Sequence, residues 1–283
     1  MAQPVSVLRT VPSLRRATSR WRAAGERIAL VPTMGALHAG HVALISAARR
    51  RAQRTLVSIF VNPTQFAPEE DLATYPRTWD TDLRLLRKLA VDAVWAPMVE
   101  TMYPRGFATN VVPAGAATAG LEDRFRPHFF AGVATVVAKL LVQCAPDVAI
   151  FGEKDYQQLR VVDRLTKDLD LPTRIIAVPT VREKDGLALS SRNVYLSAND
   201  RERAPVLYRV LKECAQKIAR GDEPKSVLRV GAASIVHSGF RLDYLEARHA
   251  QTLEPLSSLN QGPIRLLVAG RLGNIRLIDN VSV

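Results

Sequence analysis

The fold of this 283-residue chain is decided by the stretch Ile28-Ala29-Leu30-Val31-Pro32-Thr33-Met34-Gly35-Ala36-Leu37-His38-Ala39-Gly40-His41. Its first four residues are an apolar run that ends at a proline, which is typical of a short buried strand. From Gly40 to Arg54, apolar residues recur at helical spacing, which predicts a helix. A strand that turns directly into a helix is the unit of open α/β sheets, whose ligands bind beyond the carboxyl ends of the strands.

The alternation of strands and helices continues through the first two-thirds of the chain. Apolar runs predict strands over 56–61, 93–96, 148–151 and 174–178, and helical spacing predicts helices over 80–89, over 130–143 and from about Tyr156. Leu8, Val11 and Leu14 predict a first helix ahead of the first strand. This order favours a parallel sheet with helices on both faces. We therefore predict a Rossmann-like α/β domain over residues 1–178.

Beyond Pro179 the pattern changes. A charged turn over 183–186 separates two extended pieces, and helices are predicted for about twenty residues from Asn199 and again from about Pro224. Short strands are predicted over 245–247, 264–270 and 274–278. These features predict a smaller C-terminal α+β domain over residues 179–283, which we interpret as a lid.

The composition excludes several classes of protein. With 47% apolar and 23% charged residues, the chain is unlike a disordered protein, a collagen or a coiled coil. No apolar run reaches the length of about 18 residues that a membrane span needs. The two cysteines, Cys144 and Cys214, have no metal-binding or redox spacing and fit a reducing compartment, so we predict a cytoplasmic protein.

The chain is strongly basic, with 39 basic and 27 acidic residues and a net charge of +12. Such a balance suits either nucleic acid or a small polyanion. The excess is scattered apart from arginine clusters at 15–22 and 49–54, and charge runs are usually exposed helix faces. Aromatic residues make up only 6% of the chain, and no nucleic-acid-binding motif is recognisable. We therefore predict no nucleic-acid partner.

The turn over 32–41 carries residues suited to phosphate. The helix start offers free N–H groups and a positive dipole end, and Gly35 and Gly40 let a ligand approach the backbone. His38 and His41 are three apart, so both rings lie on one side of the first helical turn and can donate to phosphate oxygens. Two other interpretations are half of a metal site and a pair of packing histidines. Against the first, no glutamate follows in the zinc-protease pattern, and no other histidine repeats a metal spacing.

Two further strand ends carry polar groups. Asn62 and Gln65 follow the strand over 56–61, and their amides suit hydroxyl and carboxylate groups. Lys154 follows the strand over 148–151 and can place a positive charge on a phosphate, while Asp155 and Gln158 share a helix face. Asp155 could equally be a plain helix N-cap.

A fourth motif lies in the C-terminal third, at Leu189-Ser190-Ser191-Arg192-Asn193. Two hydroxyl groups and a guanidinium in one loop make a phosphate clamp. The alternative is an ordinary helix-capping loop, since serine and asparagine are common there.

Together these motifs resemble those of the pantothenate synthetase (pantoate–β-alanine ligase) family. The matching segments are 32–41, 58–66, 75–78, 152–159 and 185–193, in the family order, and the similarity extends from about residue 5 to Asn280. More broadly, the chain is similar to nucleotidylyltransferases and class I aminoacyl-tRNA synthetases, which share the His-x-Gly-His turn on a Rossmann-like sheet.

The resemblance implies an enzyme that uses ATP and Mg²⁺ in two steps. The carboxylate of pantoate attacks the α-phosphate of ATP to give pantoyl adenylate and pyrophosphate, and the amine of β-alanine then displaces AMP. It also implies a homodimer. The alternative is another nucleotidylyltransferase of the His-x-Gly-His type, acting on a different small acid or a nucleotide.

The resemblance also assigns roles to residues. It implies catalytic roles for His41, which is the family's proposed acid, and for His38, Lys154 and Arg192. Gln65 and Gln158 bind pantoate, Gln65 also serves β-alanine, and Asn62 lies on the substrate side. ATP contacts fall on Pro32, Thr33, Met34, Gly35, Ala36, Leu37, His38, Ala39, Gly40, His41, Gly152, Glu153, Lys154, Asp155, Val181, Leu189, Ser190, Ser191 and Arg192. Two positively charged side chains, the imidazoles and magnesium would together offset the repulsion between two anionic substrates.

One segment departs from the family pattern, and a few other residues are less firmly assigned by it. The family reads Arg-Pro-Gly-His-Phe where this chain reads Arg126-Pro127-His128-Phe129-Phe130, so no role is transferred to His128. Glu122 and Arg126 do match family positions on a loop near the site. The metal ligands are unassigned, and Asp82 is a candidate for contacting magnesium through water, since phosphates supply most magnesium ligands at such sites.

Overall fold

The computed structural model describes residues 5–67, 70, 72–256 and 261–283. Its first six strands are β1 (Ser6–Leu8), β2 (Ile28–Thr33), β3 (Arg54–Ile59), β4 (Ala93–Trp95), β5 (Val148–Gly152) and β6 (Arg174–Val178). They form one sheet in the order β1-β4-β3-β2-β5-β6, and all neighbouring strands run parallel. The predicted parallel sheet is therefore confirmed.

Helices cover both faces of this sheet, as predicted. They are α1 (Val11–Ala23), α2 (Ala39–Arg49), α3 (Trp79–Lys88), α4 (Val99–Met102), α5 (Glu122–Phe125), α6 (Phe129–Cys144) and α7 (Tyr156–Asp168). Successive strand residues face opposite ways, so Leu30 packs in one core with Leu14 of α1, and Val31 packs in another with Ile45 of α2. Helices α6 and α7 share the first core, and α3 shares the second.

The N-terminal segment differs from the prediction of a single helix. Residues Ser6–Leu8 form strand β1, which pairs with β4 at the edge of the sheet, and the helix begins only at Val11. Thr10 caps this helix by accepting the N–H of Ser13 at 3.4 Å. Helix α2 also ends at Arg49, five residues before the predicted end, because β3 already begins at Arg54.

The remaining elements form a smaller α+β unit. It contains α8 (Ala198–Arg203), α9 (Val206–Ala219), α10 (Pro224–His237), β7 (Arg241–His249), β8 (Ile264–Leu272) and β9 (Ile275–Ser282), and the strands form an antiparallel sheet in the order β7-β8-β9. The predicted helix of about twenty residues is two helices, because Pro205 lacks the N–H group that a continuous helix needs. The boundary near residue 178 stays a prediction. In the described part of the chain, no helix is long and apolar enough to cross a membrane.

Candidate active site

The candidate site lies at the carboxyl ends of β2 and β5, where the strand order reverses. From β2 the chain proceeds through β3 and β4 to one side, and from β5 it proceeds to β6 on the other. Such a reversal leaves a crevice beyond the strand ends. A cavity of about 260 Å³ occupies it. Its lining includes most of the predicted residues: Pro32, Thr33, Met34, His38, Gly40, His41, Asn62, Gln65, Gly152, Lys154, Asp155, Gln158, Val181, Leu189, Ser190, Ser191 and Arg192.

The two histidines are held by the backbone at the start of α2. Nδ1 of His38, the N-cap residue, accepts the N–H of Gly40 at 3.1 Å. Nδ1 of His41 accepts the N–H of His38 at 3.2 Å, and the two ring centroids lie 4.2 Å apart. Because each Nδ1 accepts a hydrogen bond, each neutral ring carries its proton on Nε2. Each ring therefore offers one Nε2–H donor to a ligand in the cavity.

The surroundings of these two rings determine their charge state. Burial, and then the neighbouring His38 ring, lower the pKa of His41 to about 3. Burial, and then the positive charge of Lys154, also lower the pKa of His38. Both rings are neutral at pH 7 in the protein without its substrates. Each ring can then donate a hydrogen bond through Nε2–H, and the same cavity lining contains the positively charged Lys154 and Arg192.

In the turn after β3, Asn62 holds the side chain of Gln65 in place. Asn62 is 1% exposed, and its amide donates to the Gln65 side-chain oxygen at 3.2 Å and to the Gly132 carbonyl at 3.3 Å. The Asn62 oxygen accepts the hydroxyl of Tyr103 at 2.7 Å and that of Thr64 at 3.0 Å. In this structure the side-chain nitrogen and oxygen of Asn62 are both engaged, and Asn62 orients the amide of Gln65; its place on the substrate side stays a prediction. The Gln65 Nε2 is thereby directed toward Met34, whose sulfur lies 3.2 Å away.

The motif after β5 is held in place by the C-terminal sheet. Asn280 of β9 donates to the backbone carbonyls of Glu153 and Lys154, both at 2.9 Å. The Glu153 carboxylate pairs with Arg265 of β8 at 3.0 Å. These contacts leave Lys154 and Asp155 facing the cavity, where the ammonium nitrogen lies 3.7 Å from the Asp155 carboxylate.

The loop with Ser190, Ser191 and Arg192 closes the cavity from the side of the C-terminal unit. The Ser191 hydroxyl lies 3.1 Å from the hydroxyl of Tyr75, and the Arg192 guanidinium lies 5.5 Å from the centre of the Tyr75 ring. Ser190 caps its own turn by accepting the N–H of Arg192 at 3.3 Å. The loop is thus a capped turn that also lines the cavity, and the phosphate clamp stays a prediction.

A few predicted residues do not line the cavity: Gly35, Ala36, Leu37, Ala39, Glu153 and Asp82. Three of them, Gly35, Ala36 and Leu37, belong to the turn between β2 and α2. The buried Asp82 carboxylate binds the backbone of this turn, accepting the N–H groups of Ala36 and Leu37 at 2.9 Å each. His128 is exposed and also lies outside the lining, which agrees with the absence of a transferred role.

An apolar wall, which was not predicted from the sequence, lines one part of the cavity. Helix α6 contributes Phe129, Val133, Val136, Val137 and Leu140, and the end of β3 contributes Phe60. Helix α6 is apolar on nearly every face, so its pattern indicated a buried helix without showing which side faces a ligand. Arg126, at the start of this wall, pairs with Glu70 at 2.6 Å and donates to the backbone carbonyl of Gln65 at 3.0 Å.

The described residues contain no group of three or more histidine, cysteine, aspartate or glutamate side chains that could hold a metal ion. The metal-site interpretation of His38 and His41 therefore finds no third ligand among them. Both cysteines are free and buried, and burial raises the pKa of each thiol.

The fold and the cavity define an open α/β protein with a glycine-containing turn and a cavity at the switch point of its sheet, where ligands of such proteins bind. Comparison with known proteins narrows this class. The family model for pantoate-beta-alanine ligase matches residues 6–282. The pantothenate synthetase of Nitrobacter winogradskyi is 60% identical over 278 residues, which cover 98% of each chain.

Solved structures of the same family have a similar fold. The pantothenate synthetase of Thermus thermophilus has a TM-score of 0.92 and 49% identity, covering 98% of this chain and 99% of its own. The pantoate-beta-alanine ligase of Francisella tularensis, complexed with beta-gamma ATP and beta-alanine, has a TM-score of 0.80 and 34% identity, covering 98% and 97%. The chain therefore belongs to the pantoate–β-alanine ligase family, and it is an enzyme of that class.

Proposed function

We propose that this enzyme condenses pantoate with β-alanine to form pantothenate, with ATP converted to AMP and pyrophosphate. The observation that carries the proposal is the mixed chemistry of one cavity lining. It combines the Nε2–H groups of His38 and His41 and the charged Lys154 and Arg192 with Gln65 and an apolar wall. The first set suits a triphosphate, and we call it the phosphate end of the site; the second set suits a small hydroxy acid.

At the phosphate end, two neutral imidazoles and two positively charged side chains donate hydrogen bonds to the nucleotide. Lys154 and Arg192 supply positive charge, and the neutral imidazoles supply directed hydrogen bonds that cost no proton transfer. Charge on the phosphate oxygens grows as the α-phosphorus is attacked, and donors that are already in place stabilise it. One such donor is worth a factor of about 10²–10³ in rate.

The second set of lining residues matches the groups of pantoate. Pantoate carries a carboxylate, two hydroxyl groups and two methyl groups on one carbon. The amides of Gln65 and Gln158 suit the polar groups. Phe60, Phe129 and Val133 suit the methyl groups. The carboxylate would then lie against the α-phosphate, and this proximity replaces an encounter in solution.

Two steps follow in this arrangement. In the first, a carboxylate oxygen of pantoate forms a bond to the α-phosphorus, and the bond to pyrophosphate breaks. In the second, the amine of β-alanine attacks the acyl carbon of the adenylate near Gln65, loses a proton and releases AMP. The Ser190–Ser191–Arg192 loop covers the cavity and would limit hydrolysis of the adenylate.

Magnesium fits this site as a companion of the nucleotide. The described residues supply no carboxylate cluster, and Asp155 is the one described acidic side chain among the cavity-lining residues. Phosphate oxygens and water would therefore supply most of its octahedral shell. When bound, the ion neutralises charge on the phosphates.

Further assignments belong to the same proposal. The site residues have the roles that the family resemblance implies. Residues 1–178 bind ATP and pantoate, and residues 179–283 form a lid. We also propose a homodimer, since symmetric pairs are the commonest oligomers. We propose that the protein works in the cytoplasm, where Cys144 and Cys214 stay reduced, and that it has no nucleic-acid partner.

The decisive experiment is ATP–pyrophosphate exchange, which follows the first step alone. Labelled pyrophosphate should enter ATP only when pantoate is present, and β-alanine should not be required. His41→Ala should lower the exchange rate by about 10²–10³-fold, because one oxyanion donor is lost. The matched control is His128→Ala, since that ring is exposed and lies outside the cavity lining. Exchange that ignores pantoate, or that requires another acid or a nucleotide, would refute the proposal in favour of another nucleotidylyltransferase activity.

A further inference from the structure

Asp82 is a buried carboxylate that is bound to the phosphate-binding turn. It lies on α3 and is 2% exposed. One of its oxygens, Oδ2, accepts the N–H of Ala36 at 2.9 Å. The other, Oδ1, accepts the N–H of Leu37 at 2.9 Å and the hydroxyl of Thr78 at 3.1 Å.

The turn that Asp82 holds has an unfavourable backbone. Gly35 and Ala36 follow one another with φ values of +85° and +50°. The left-handed region is unfavourable for alanine, so external contacts must maintain it. Two hydrogen bonds to an ionised carboxylate are strong enough to do so. His38 follows directly and caps α2, so the position of the turn determines where both imidazoles lie.

The same contacts conflict with a role for Asp82 in binding magnesium. A magnesium ion needs a free lone pair on each oxygen ligand, whether it binds directly or through water. Both in-plane lone pairs of Oδ1 already accept hydrogen bonds. The other oxygen faces Gly35, where a Cβ atom would lie only 3.2 Å from Oδ2. The carboxylate also lies outside the cavity lining, so it would have to release the turn before it could reach an ion.

We propose that Asp82 is a positioning residue, which holds the 35–37 turn so that His38 and His41 reach the triphosphate, and that it is not a magnesium ligand. The inference rests on the proposed function, because the turn serves the same nucleotide. Its structural part concerns the protein without substrates and is testable there.

The test is Asp82→Asn, which keeps the size of the side chain but replaces one acceptor oxygen by an N–H donor. In the nucleotide-free protein, NMR should show a marked upfield shift of the Ala36 and Leu37 amide protons and solvent exchange at least tenfold faster. In turnover, kcat/KM for ATP should fall by about 10²-fold, the usual consequence of a displacement of about 1 Å. The magnesium concentration that gives half-maximal activity should stay within twofold of the wild-type value.

The matched control is Asp80→Asn, which removes the same charge from an exposed position in the first turn of the same helix. It should leave the amide signals, kcat/KM and the magnesium dependence unchanged. A tenfold rise in the half-maximal magnesium concentration of Asp82→Asn, with activity restored at high magnesium, would overturn the proposal. Wild-type amide signals in that variant would overturn it as well.

A second variant covers the case in which Asp82→Asn does not fold. Thr78→Val removes one hydrogen bond to Oδ1 and keeps the carboxylate, and it should shift the Leu37 amide without changing the magnesium dependence. A tenfold change in that dependence, or an unshifted amide, would count against the proposal. If the wild type shows no pantoate-dependent exchange, the proposed function fails, whereas the amide measurements still decide the role of Asp82.

Discussion

The substitution Gly132→Ala tests how the apolar helix α6 and the turn that carries Gln65 are fitted together. Gly132 lies in α6 against the backbone of the turn that carries Gln65. A Cβ atom at this position would lie 2.3 Å from the carbonyl oxygen of Thr64 and 2.9 Å from the backbone nitrogen of Gln65. Ordinary contact begins at 3.4 Å, so the two segments must separate by about 1.1 Å, the difference between 3.4 and 2.3 Å. Because the opposing atoms are backbone, no change of rotamer relieves the overlap.

The size of the effect follows from this distance. A displacement of about 1 Å in a positioning group typically costs about 10²-fold in rate, so kcat/KM for pantoate should fall by about that factor. Overpacking should cost about 1–3 kcal/mol of the free energy of unfolding. The better helix propensity of alanine offsets about 1 kcal/mol of that cost. The net loss of stability should therefore be about 0–2 kcal/mol, whereas the loss of activity is large.

The assay is steady-state formation of AMP at varied pantoate, with the free energy of unfolding measured in urea. Gly231→Ala is a matched control, because it also adds a methyl group inside a helix, where the new Cβ would lie 2.7 Å from the sulfur of Cys214. That site is in α10, which does not contribute to the cavity lining, so stability should fall while kcat/KM is retained. Wild-type kcat/KM for pantoate in Gly132→Ala would refute the reasoning.

Three more predictions concern the hydrogen bonds and charges around the site. Tyr103→Phe removes the 2.7 Å hydrogen bond to Asn62, so kcat/KM for pantoate should fall about tenfold, with KM for ATP unchanged in the same assay. His41 has a pKa of about 3 when folded and about 6.5 when unfolded, so the unfolded chain binds more protons and stability falls as the pH drops through that window. Between pH 7 and 5, urea titrations should show a loss up to about 2 kcal/mol greater in the wild type than in His41→Gln, and equal slopes would contradict this. Arg276→Met removes the ion-pair partner of the buried Glu122 and the half-buried Asp243, so it should cost about 3–5 kcal/mol of unfolding free energy. Arg164→Met, at the exposed pair with Asp168, should cost less than about 1 kcal/mol. Equal losses would show that burial is not the cause.

Most strands and helices of the parallel sheet were predictable because their signals are local. The run Ile28-Ala29-Leu30-Val31 and the strand over 174–178 are apolar, short and ended by a turn or a proline, whatever the rest of the chain does. Strand β1 was missed for the opposite reason. Its three residues have no distinctive pattern, and they form a strand only because β4 offers a free edge more than eighty residues later.

The position of the candidate site was predictable from the sequence, but the role of each residue in it was only partly predictable. Asn62 and Gln65 are both amides in one turn, and nothing in their spacing distinguishes them. The structure separates them, because Tyr103 and Gly132 bond to Asn62 and leave the nitrogen of Gln65 to the cavity. The contribution of α6 to the cavity lining could not be predicted either, because the sequence of a helix that is apolar on nearly all sides does not show which side faces a ligand.

The sequence by itself determined the order of the elements, the turns that follow the central strands and the family to which the chain is similar. These properties depend on neighbours along the chain, through apolar periodicity and the limits that proline and glycine place on the backbone. Only the tertiary structure decided the charge of the imidazoles and the partners of Asp82. Burial of His41 and the hydrogen bond from Ala36 to Asp82, 46 positions further on, depend on residues that approach each other only when the chain has folded.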